Sequence, residues 1–355
     1  MANFDLVNLA LKATCPGNAI ILDDKGLPSV MVYVPKFKMS DVITGGSDST
    51  APMFIINGQE KPGLYFSKYP NVMHNGRAYS LPGEDPANNM TWDTARAACE
   101  AKGPGWHMMT KPEYAAIALW CKKNGFMPYG NNNYGKDSRE TLVKAIPAYI
   151  DGEGRTTRTL TGTGPIEWSH NKDIDGIWDL NGNVSEWTGG IRTVYGEIQV
   201  QPNNNAADSS NLQTADAATW KAIDATTGEF IDPNGEGTTP NSVKADNVNG
   251  ITYSTSVTTQ SESFYAVISD IKADATISAE AQAVLIAYGL FPDDIAFDYE
   301  GDRIYFNNVA SERLFYSGGS YSSTTSAGVF CAYGGHSSRT GVSAGGGFRS
   351  AYVGL

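Results

Sequence analysis

The feature that most limits the fold of this chain is the close spacing of turn signals between residues 130 and 192. Glycine next to asparagine, aspartate or threonine favours tight turns, so any strand or helix between such clusters must be short. The densest part, GIWDLNGNVSEWTGGIR at 176–192, also carries Trp178 and Trp187, whose rings we expect in the core. The segment therefore predicts short, irregular strands packed around buried aromatic side chains.

Helix signals occur at three places outside this segment. Thr91 is a suitable N-cap for a following apolar stripe. The stretch Thr110-Lys111-Pro112-Glu113 has a hydroxyl and, three residues later, a carboxylate, which can satisfy two free amides reciprocally. A third helix is expected at 278–288, with Ser278 as its cap. Two main helices are thus predicted before the turn-rich segment and one after it.

Strand signals are apolar runs that are short or alternating and end at turn residues. We expect strands at 29–39, 53–56 and 64–66, and a hairpin formed by 297–299 and 303–306. Together with the helices, these strands predict an α+β fold with short antiparallel strands.

Residues 197–275 have a different composition, rich in Asn, Ala, Asp, Ser and Thr. Low-complexity patches of this kind are typical of loops. We therefore expect an insertion or a small lobe here and not part of the core. With 355 residues, the chain is long enough for one large domain.

The charge and the termini exclude several classes of protein. Lys plus Arg number 26 and Asp plus Glu number 38, for a net charge of −12, so nucleic acid and anionic membranes are poor partners. No apolar run approaches the roughly 20 residues of a membrane span. The amino terminus lacks the pattern of a secretory signal. The expected locations are therefore a virion, or a bacterial surface that the protein reaches by another export route. The four cysteines have no C-x-x-C spacing, and we expect reduced, buried thiols.

The tail at 316–346, YSGGSYSSTTSAGVFCAYGGHSSRTGVSAGG, has the composition of a linker but not its pattern. It holds 8 Ser, 8 Gly and 3 Tyr among 31 residues and no Asp, Glu, Lys or Asn. A flexible linker would not hold Val329-Phe330 in its middle or be followed by Phe348-Arg349. Tyr, Ser and Gly are also the main residues of antibody binding loops. The tail is therefore either a binding surface or a glycine-rich structural segment, and composition alone leaves both open.

Several stretches in order resemble the formylglycine-generating-enzyme/sulfatase-modifying family, which has a C-type-lectin-like fold. The matching stretches are VYVPKFKM at 32–39, MTWDTA at 90–95, TKPEYAA at 110–116, GIWDLNGNVSEW at 176–187, GGSY at 318–321 and GFR at 347–349. The resemblance implies a C-type-lectin-like domain at 28–355 that follows an N-terminal segment, 1–27. Residues 197–310 would be an enlarged insertion.

The chemistry of that family does not carry over to this chain. Its enzymes use two cysteines with copper shortly after the Gly-Gly-Ser-Tyr step, and the aligned positions here are Ser323 and Gly328. A copper site of that type needs two thiolates, and Cys331 is a single thiol. We therefore expect a protein that is not an enzyme.

The tail is also similar to that of the variable proteins of diversity-generating retroelements, a family that includes the tropism determinants of phage. The shared motifs are Gly318-Gly319, AGVF at 327–330, Ser338-Arg339 and GFR at 347–349. In that family, adenines of asparagine codons are replaced during copying, which can give Ser, Tyr, Gly, His, Cys, Thr, Ala or Val. The resemblance implies a hypervariable region at 316–346 that binds varied ligands, either protein or glycan, on a cell or virion surface.

Within that region, the positions between the shared motifs are the candidate ligand contacts. They are Ser317, Ser320, Tyr321, Ser322, Ser323, Thr325, Ser326, Cys331, Tyr333, Gly335, His336, Gly341, Ser343 and Gly345. We expect Tyr321, Tyr333 and His336 to bury the most area against a ligand, because aromatic side chains usually dominate such surfaces.

No cofactor is expected, although one turn contains enough oxygen atoms for calcium. Asp179, Asn181, Asn183 and Glu186 lie close together in sequence, and calcium prefers 6–8 oxygen ligands. The alternative, which we favour, is that Asn183 and Glu186 hydrogen-bond the turn backbone. Two other functions stay open: an oxidase relative of the formylglycine-generating type and a calcium-dependent sugar-binding lectin. Homo-oligomerisation also stays open.

Overall fold

The computed structural model describes residues 4–354. Within that range, the α-helices are α1 (Asp5–Thr14), α2 (Met39–Val42), α3 (Trp92–Glu100), α4 (Lys111–Lys123) and α5 (Ala279–Ala287). The strands are β1 (Asn18–Leu22), β2 (Pro28–Pro35), β3 (Ile55–Ile56), β4 (Gln59–Glu60), β5 (Gly63–Ser67), β6 (Val72–His74), β7 (Arg77–Tyr79), β8 (Trp106–Met108), β9 (Ser185–Val194), β10 (Glu197–Val200), β11 (Lys221–Ile223), β12 (Phe230–Ile231), β13 (Lys244–Asp246), β14 (Thr252–Ser254), β15 (Phe264–Val267), β16 (Lys272–Ala273), β17 (Arg303–Phe306), β18 (Arg313–Gly318), β19 (Gly328–Tyr333), β20 (Gly346–Phe348) and β21 (Ser350–Tyr352). The fold is thus mixed α and β, with mostly short strands.

The three predicted helix starts are confirmed by their caps. The Thr91 hydroxyl accepts a hydrogen bond from the Thr94 amide at 3.2 Å. Thr110 and Glu113 form the reciprocal capping box, and the Glu113 carboxylate accepts from the Thr110 amide at 2.8 Å. The Ser278 hydroxyl accepts from the Ala281 amide at 3.1 Å. Each cap satisfies amides that have no partner within the helix, so a few neighbouring residues determine where the helix begins.

Two large sheets contain most of the strands, and β3-β4 and β6-β7 form two small two-stranded sheets. A five-stranded antiparallel sheet has the order β1-β2-β5-β21-β8, so the C-terminal strand lies inside it and the N-terminal segment 1–27 contributes its edge strand. A twelve-stranded sheet has the main order β15-β17-β19-β18-β9-β10-β13-β14-β16, with β11 and β12 branching from β10 and with β20 pairing with β9. The two strands of the tail, β18 and β19, are therefore interior strands of the large sheet.

The structure corrects the expectation that residues 197–275 lie outside the core. Strands β10 to β16 extend the large sheet, and their apolar side chains enter the main hydrophobic cluster. Ile198, Val200 and Tyr253 are each completely buried. The low-complexity patches form turns between these strands. The apolar runs between the patches are so short that they were not predicted to be core strands.

A second correction concerns the hairpin expected from 297–299 and 303–306. Only the second half is a strand, and β17 pairs antiparallel with β15 and parallel with β19. The Tyr299 side chain is buried instead, with its ring 5.1 Å from that of Phe330. The strand expected at 53–56 is also shorter than predicted, since Pro52–Phe54 form a 3-10 turn before β3.

Other sequence predictions are confirmed. Trp178 and Trp187 are buried, and the four cysteines are buried free thiols. Among residues 4–354, no helix is both long and apolar enough to cross a bilayer.

Candidate functional site

The tail enters the large sheet through β18 and leaves it through β20, with two loops between. Gly318 and Gly319 end β18, and both have positive φ, at 87° and 74°. A Cβ at Gly318 would lie 2.6 Å from the Tyr114 hydroxyl oxygen, and one at Gly319 would lie 2.5 Å from the Cβ of Ala327. The tight turn that starts the first loop therefore requires glycine at both positions.

The loops and strands of the tail surround one pocket of about 360 Å³. Its floor comes from three adjacent strands, which contribute Trp187 from β9, Tyr316 from β18 and Tyr333 from β19. The Trp187 and Tyr316 rings are stacked, with centroids 3.5 Å apart. Cross-strand aromatic packing of this kind makes the floor rigid.

Half of the candidate contact residues line this pocket, although they come from separate stretches of the tail. They are Ser320, Ser323, Tyr333, His336, Gly341, Ser343 and Gly345. Six further lining residues were not predicted from the sequence, namely Ser185, Trp187, Tyr316, Ser337, Val342 and Gly346. An aromatic residue two positions before the Gly-Gly turn was the available signal for Tyr316.

Four candidates lie on the first loop outside the pocket. Tyr321 and Ser326 are half-buried, while Ser322 and Thr325 are exposed. The loop is held at its far side because the Tyr134 amide donates to the Tyr321 carbonyl at 2.8 Å and the Thr324 amide donates to the Asn132 carbonyl at 2.8 Å. These residues form a rim around the pocket entrance.

The remaining three candidates are buried. Gly335 is buried, and Ser317 and Cys331 lie inside the protein. The Ser317 hydroxyl accepts a hydrogen bond from the Lys111 ammonium of α4 at 3.1 Å. Burial raises the pKa of the Cys331 thiol to about 12. The structure therefore places Ser317 and Cys331 away from the surface that a ligand can reach.

The ammonium of Lys111 allows the burial of Lys111, Ser317 and Cys331 beneath the tail to be tested. Burial lowers its pKa from 10.5 to about 8, with the electrostatic influence of Cys331 opposing the change. Between those two pH values, the unfolded chain binds a proton that the folded protein does not, so stability rises with pH through this window. We expect Lys111→Met to reduce that slope by up to about 1.4 kcal/mol per pH unit.

Urea denaturation of both proteins between pH 7 and 10.5 measures this difference. Lys12→Met is the matched control, since Lys12 is exposed on α1 and its removal should leave the slope unchanged. Equal slopes for Lys111→Met and the natural sequence would contradict a desolvated ammonium beneath the tail.

The second loop is held by ionic and aromatic contacts of Arg339. Its guanidinium donates to both oxygens of Glu312, at 2.9 and 2.8 Å, and to Asp93 at 2.8 Å. It also lies 4.9 Å from the ring of Trp92. The Asn89 amide donates to the Ser343 carbonyl at 2.9 Å, which holds the loop further along. Contacts outside the pocket thus fix the loop that forms one of its walls.

The calcium alternative can be tested on the four side chains themselves. Asn183 is engaged by the Thr159 backbone, whose amide and carbonyl it bonds at 2.9 and 3.0 Å. Both carboxylate oxygens of Glu186 accept from Arg349, at 2.8 and 2.6 Å. Asn181 donates to the Pro128 carbonyl at 2.9 Å. Burial raises the pKa of Asp179 to about 6, which weakens it as an anionic ligand.

An Asp179 carboxylate oxygen also accepts from the Gly162 amide, at 3.0 Å. All four side chains are therefore bonded to protein groups, Asn183 to backbone as expected and Glu186 to the Arg349 side chain, and they do not fit a calcium ion. Among the described residues, no group of three or more His, Cys, Asp or Glu side chains is arranged to hold a metal.

Comparison with known proteins gives only weak likenesses. No protein-family model matches the chain, and no curated protein matches it. The structure of PvdO from Pseudomonas aeruginosa is 16% identical over 54% of this chain and 90% of that chain, with a TM-score of 0.28. A Major Tropism Determinant P3c variant is 9% identical over 94% of this chain and 71% of that chain, with a TM-score of 0.32. At TM-scores this low, neither likeness carries an argument about fold or function.

Proposed function

We propose that this chain is a non-enzymatic ligand-binding protein with a C-type-lectin-like fold, whose C-terminal loops form the binding surface. The observation that supports this most strongly is the convergence of separate tail segments on one pocket. Ser320 and Ser323, then Tyr333 and His336, then Ser343 meet around it. Loops that a rigid sheet holds in place are the usual location of binding residues.

The proposal includes diversification of these loops by a retroelement. Residues of the motifs shared with the retroelement variable proteins are packed in the core here, since Ala327, Val329, Phe330 and Phe348 are buried. Most of the residues that it treats as variable are exposed or line the pocket. A copying process that spared the first group and changed the second would alter ligand choice without unfolding the protein.

The DNA around the gene tests this part of the proposal. We expect a reverse transcriptase gene and a near-copy of the sequence for 316–346 that differs mainly at adenines. A complete locus that lacks both would remove the retroelement from the proposal, while a binding function of the pocket would still stand on its own experiment. The same locus would indicate whether the carrier is a phage tail or a bacterial surface.

The enzymatic alternative has less support. The two positions aligned with the family's cysteines are Ser323, which lines the pocket, and Gly328, which is buried. Cys331 is inaccessible, and its raised pKa of about 12 keeps the thiol protonated, whereas the thiolate is the reactive form. Turnover of a thiol peptide with added copper or iron would support the enzyme and contradict the proposal.

The calcium-dependent lectin has less support as well, because its candidate ligands are engaged by protein groups. Ligand binding that persists in an excess of chelator would exclude it. Loss of binding that returns with added calcium would support it.

A three-residue exchange tests the binding surface directly. We expect Ser322→Tyr, Ser323→Ala and Tyr333→Ser together to change which ligands bind while lowering Tm by no more than a few degrees, since Ser322 is exposed and Ser323 and Tyr333 are only partly buried where they line the pocket. Binding to a panel of cell-surface extracts and calorimetric melting measure the two effects.

The matched control makes the same types of change away from the tail, as Ser209→Tyr, Ser210→Ala and Tyr195→Ser at exposed positions. The control should leave ligand choice unchanged. A large loss of stability in the test protein, or an equal change of ligands in the control, would contradict a binding role for the tail.

A further inference from the structure

The side chains that line the pocket of the tail restrict the chemical class of ligand that can bind there, provided that the proposed function is correct. Four polar side chains of the pocket make no hydrogen bond to another residue in 4–354. They are Ser185, Tyr316, Tyr333 and His336. Burial raises the pKa of both tyrosines, so their hydroxyls stay protonated and can donate as well as accept. The pocket thus offers a ligand several unused hydroxyl and imidazole groups.

The pocket has no ionic group to offer. Among the described residues that line it, none is Asp, Glu, Lys or Arg. Arg339 of the second loop forms a bidentate pair with Glu312, the residue before β18, and also pairs with Asp93, so its charge already has protein partners. A carboxylate, sulfate or ammonium that entered this pocket would lose water without gaining an opposite charge, which is costly. The lining therefore favours an uncharged ligand.

Aromatic rings supply the apolar part of the surface. The Tyr316 ring lies at the floor, supported by the stacked and completely buried Trp187 ring, and the Tyr333 ring lies 5.1 Å from Tyr305 and 6.4 Å from His336. A pyranose ring has one face of C–H groups that packs on an aromatic ring and an edge of hydroxyls that bond to polar side chains. Its shape and its hydroxyls match a lining that combines aromatic rings with Ser and Tyr hydroxyls. A volume of about 360 Å³ falls within the usual range for small-molecule pockets, roughly 300–1,000 Å³.

An extended peptide fits this site less well. Peptides that bind a sheet usually add a strand to an open edge, where backbone groups are free. The three floor strands have no such edge, because β18 lies between β9 and β19, β19 lies between β17 and β18, and β9 lies between β18 and β10. Recognition must therefore come from side chains.

We propose that the pocket binds a neutral saccharide residue of a cell-surface glycan, without calcium. The hydroxyls of a neutral sugar can hydrogen-bond the free hydroxyls of the pocket while its C–H face packs on the aromatic floor. A neutral sugar also brings no charge into a site that lacks Asp, Glu, Lys and Arg.

The experiment uses the full chain on an array of neutral, sialylated and sulfated oligosaccharides, with EDTA present throughout. The strongest neutral oligosaccharide is then titrated by calorimetry. We expect a neutral oligosaccharide to bind, Tyr333→Ala to weaken it at least tenfold, and Tyr333→Phe to weaken it a few fold, since that change removes only the hydroxyl. Tyr195→Ala, an exposed tyrosine at the other end of β9, is the control and should bind normally. Melting curves show that each variant is folded.

The other outcomes overturn the inference. They are binding of only charged glycans, binding that EDTA abolishes, binding that Tyr333→Ala does not change, and no glycan binding at all. If no glycan binds but a protein partner binds in a manner that depends on Tyr333, the proposal of a saccharide ligand is wrong and the proposed binding function stands. If no ligand of any class depends on Tyr333, the proposed function fails with it.

Discussion

Replacing Arg349 with methionine should lower the free energy of unfolding by about 3–5 kcal/mol, the usual effect of removing one partner of a buried ion pair. Arg349 is completely buried and forms a bidentate pair with Glu186, at 2.8 and 2.6 Å. It also donates to the carbonyls of Ser67 and Trp178, at 2.8 and 2.9 Å. The substitution would leave a carboxylate and these carbonyls buried without partners.

A double variant separates the charge from the other bonds. Glu186→Leu in the Arg349→Met background removes the unpaired carboxylate, so we expect it to recover part of the lost stability. Recovery should be incomplete, because the carbonyls of Ser67 and Trp178 still lack their donor. Urea denaturation followed by circular dichroism gives both values.

Arg155→Met is the surface control for this experiment. Arg155 pairs with Asp151 at 2.8 Å, but 45% of its side chain is exposed. Exposed ion pairs contribute little, and we expect a change below about 1 kcal/mol. An equally small loss for Arg349→Met would show that the buried pair with Glu186 contributes no more to stability than an exposed ion pair.

The second large effect is expected at the pocket floor, where Trp187→Ala should cost about 3–5 kcal/mol of folding stability. The Trp187 ring is completely buried, its indole nitrogen donates to the Met90 carbonyl at 3.0 Å, and it stacks on Tyr316. Alanine would leave a cavity beneath the pocket and a carbonyl without its donor.

Urea denaturation followed by circular dichroism measures this loss without depending on tryptophan fluorescence. Trp120→Ala is the matched control, because Trp120 is only partly buried and should cost clearly less. Trp187→Phe keeps an aromatic ring on Tyr316 and should fall between the two. If Trp187→Ala lost less stability than Trp120→Ala, the stacked pair would not be a rigid floor.

Helix starts and tight turns could be predicted because each depends on a few adjacent residues. Thr91, Thr110 and Ser278 cap their helices as expected. Gly318 and Gly319 occupy backbone conformations that other residues adopt only with strain. The tail was also expected not to be a flexible linker, and Phe330 in its middle and Phe348 just after it both lie in the core.

The side of the sheet that each tail residue faces could not be predicted. Tyr316 and Ser317 are neighbours in β18, so their side chains point to opposite faces. The first lines the pocket and the second meets Lys111 inside the protein. A register shift between Ser317 and Gly318 changes the pairing of β18 with β19, and no local pattern indicates it.

The sequence by itself determined the helix caps, the glycine turns and the composition of the tail, because these depend on interactions between near neighbours in the chain. Only the tertiary structure decided that residues 197–275 help to build the core, that Ser317 faces Lys111 inside the protein, and that separate tail segments share one pocket. The reason is that strand pairing and burial depend on residues far apart in the chain, and one shift in register moves a side chain from one face of a sheet to the other.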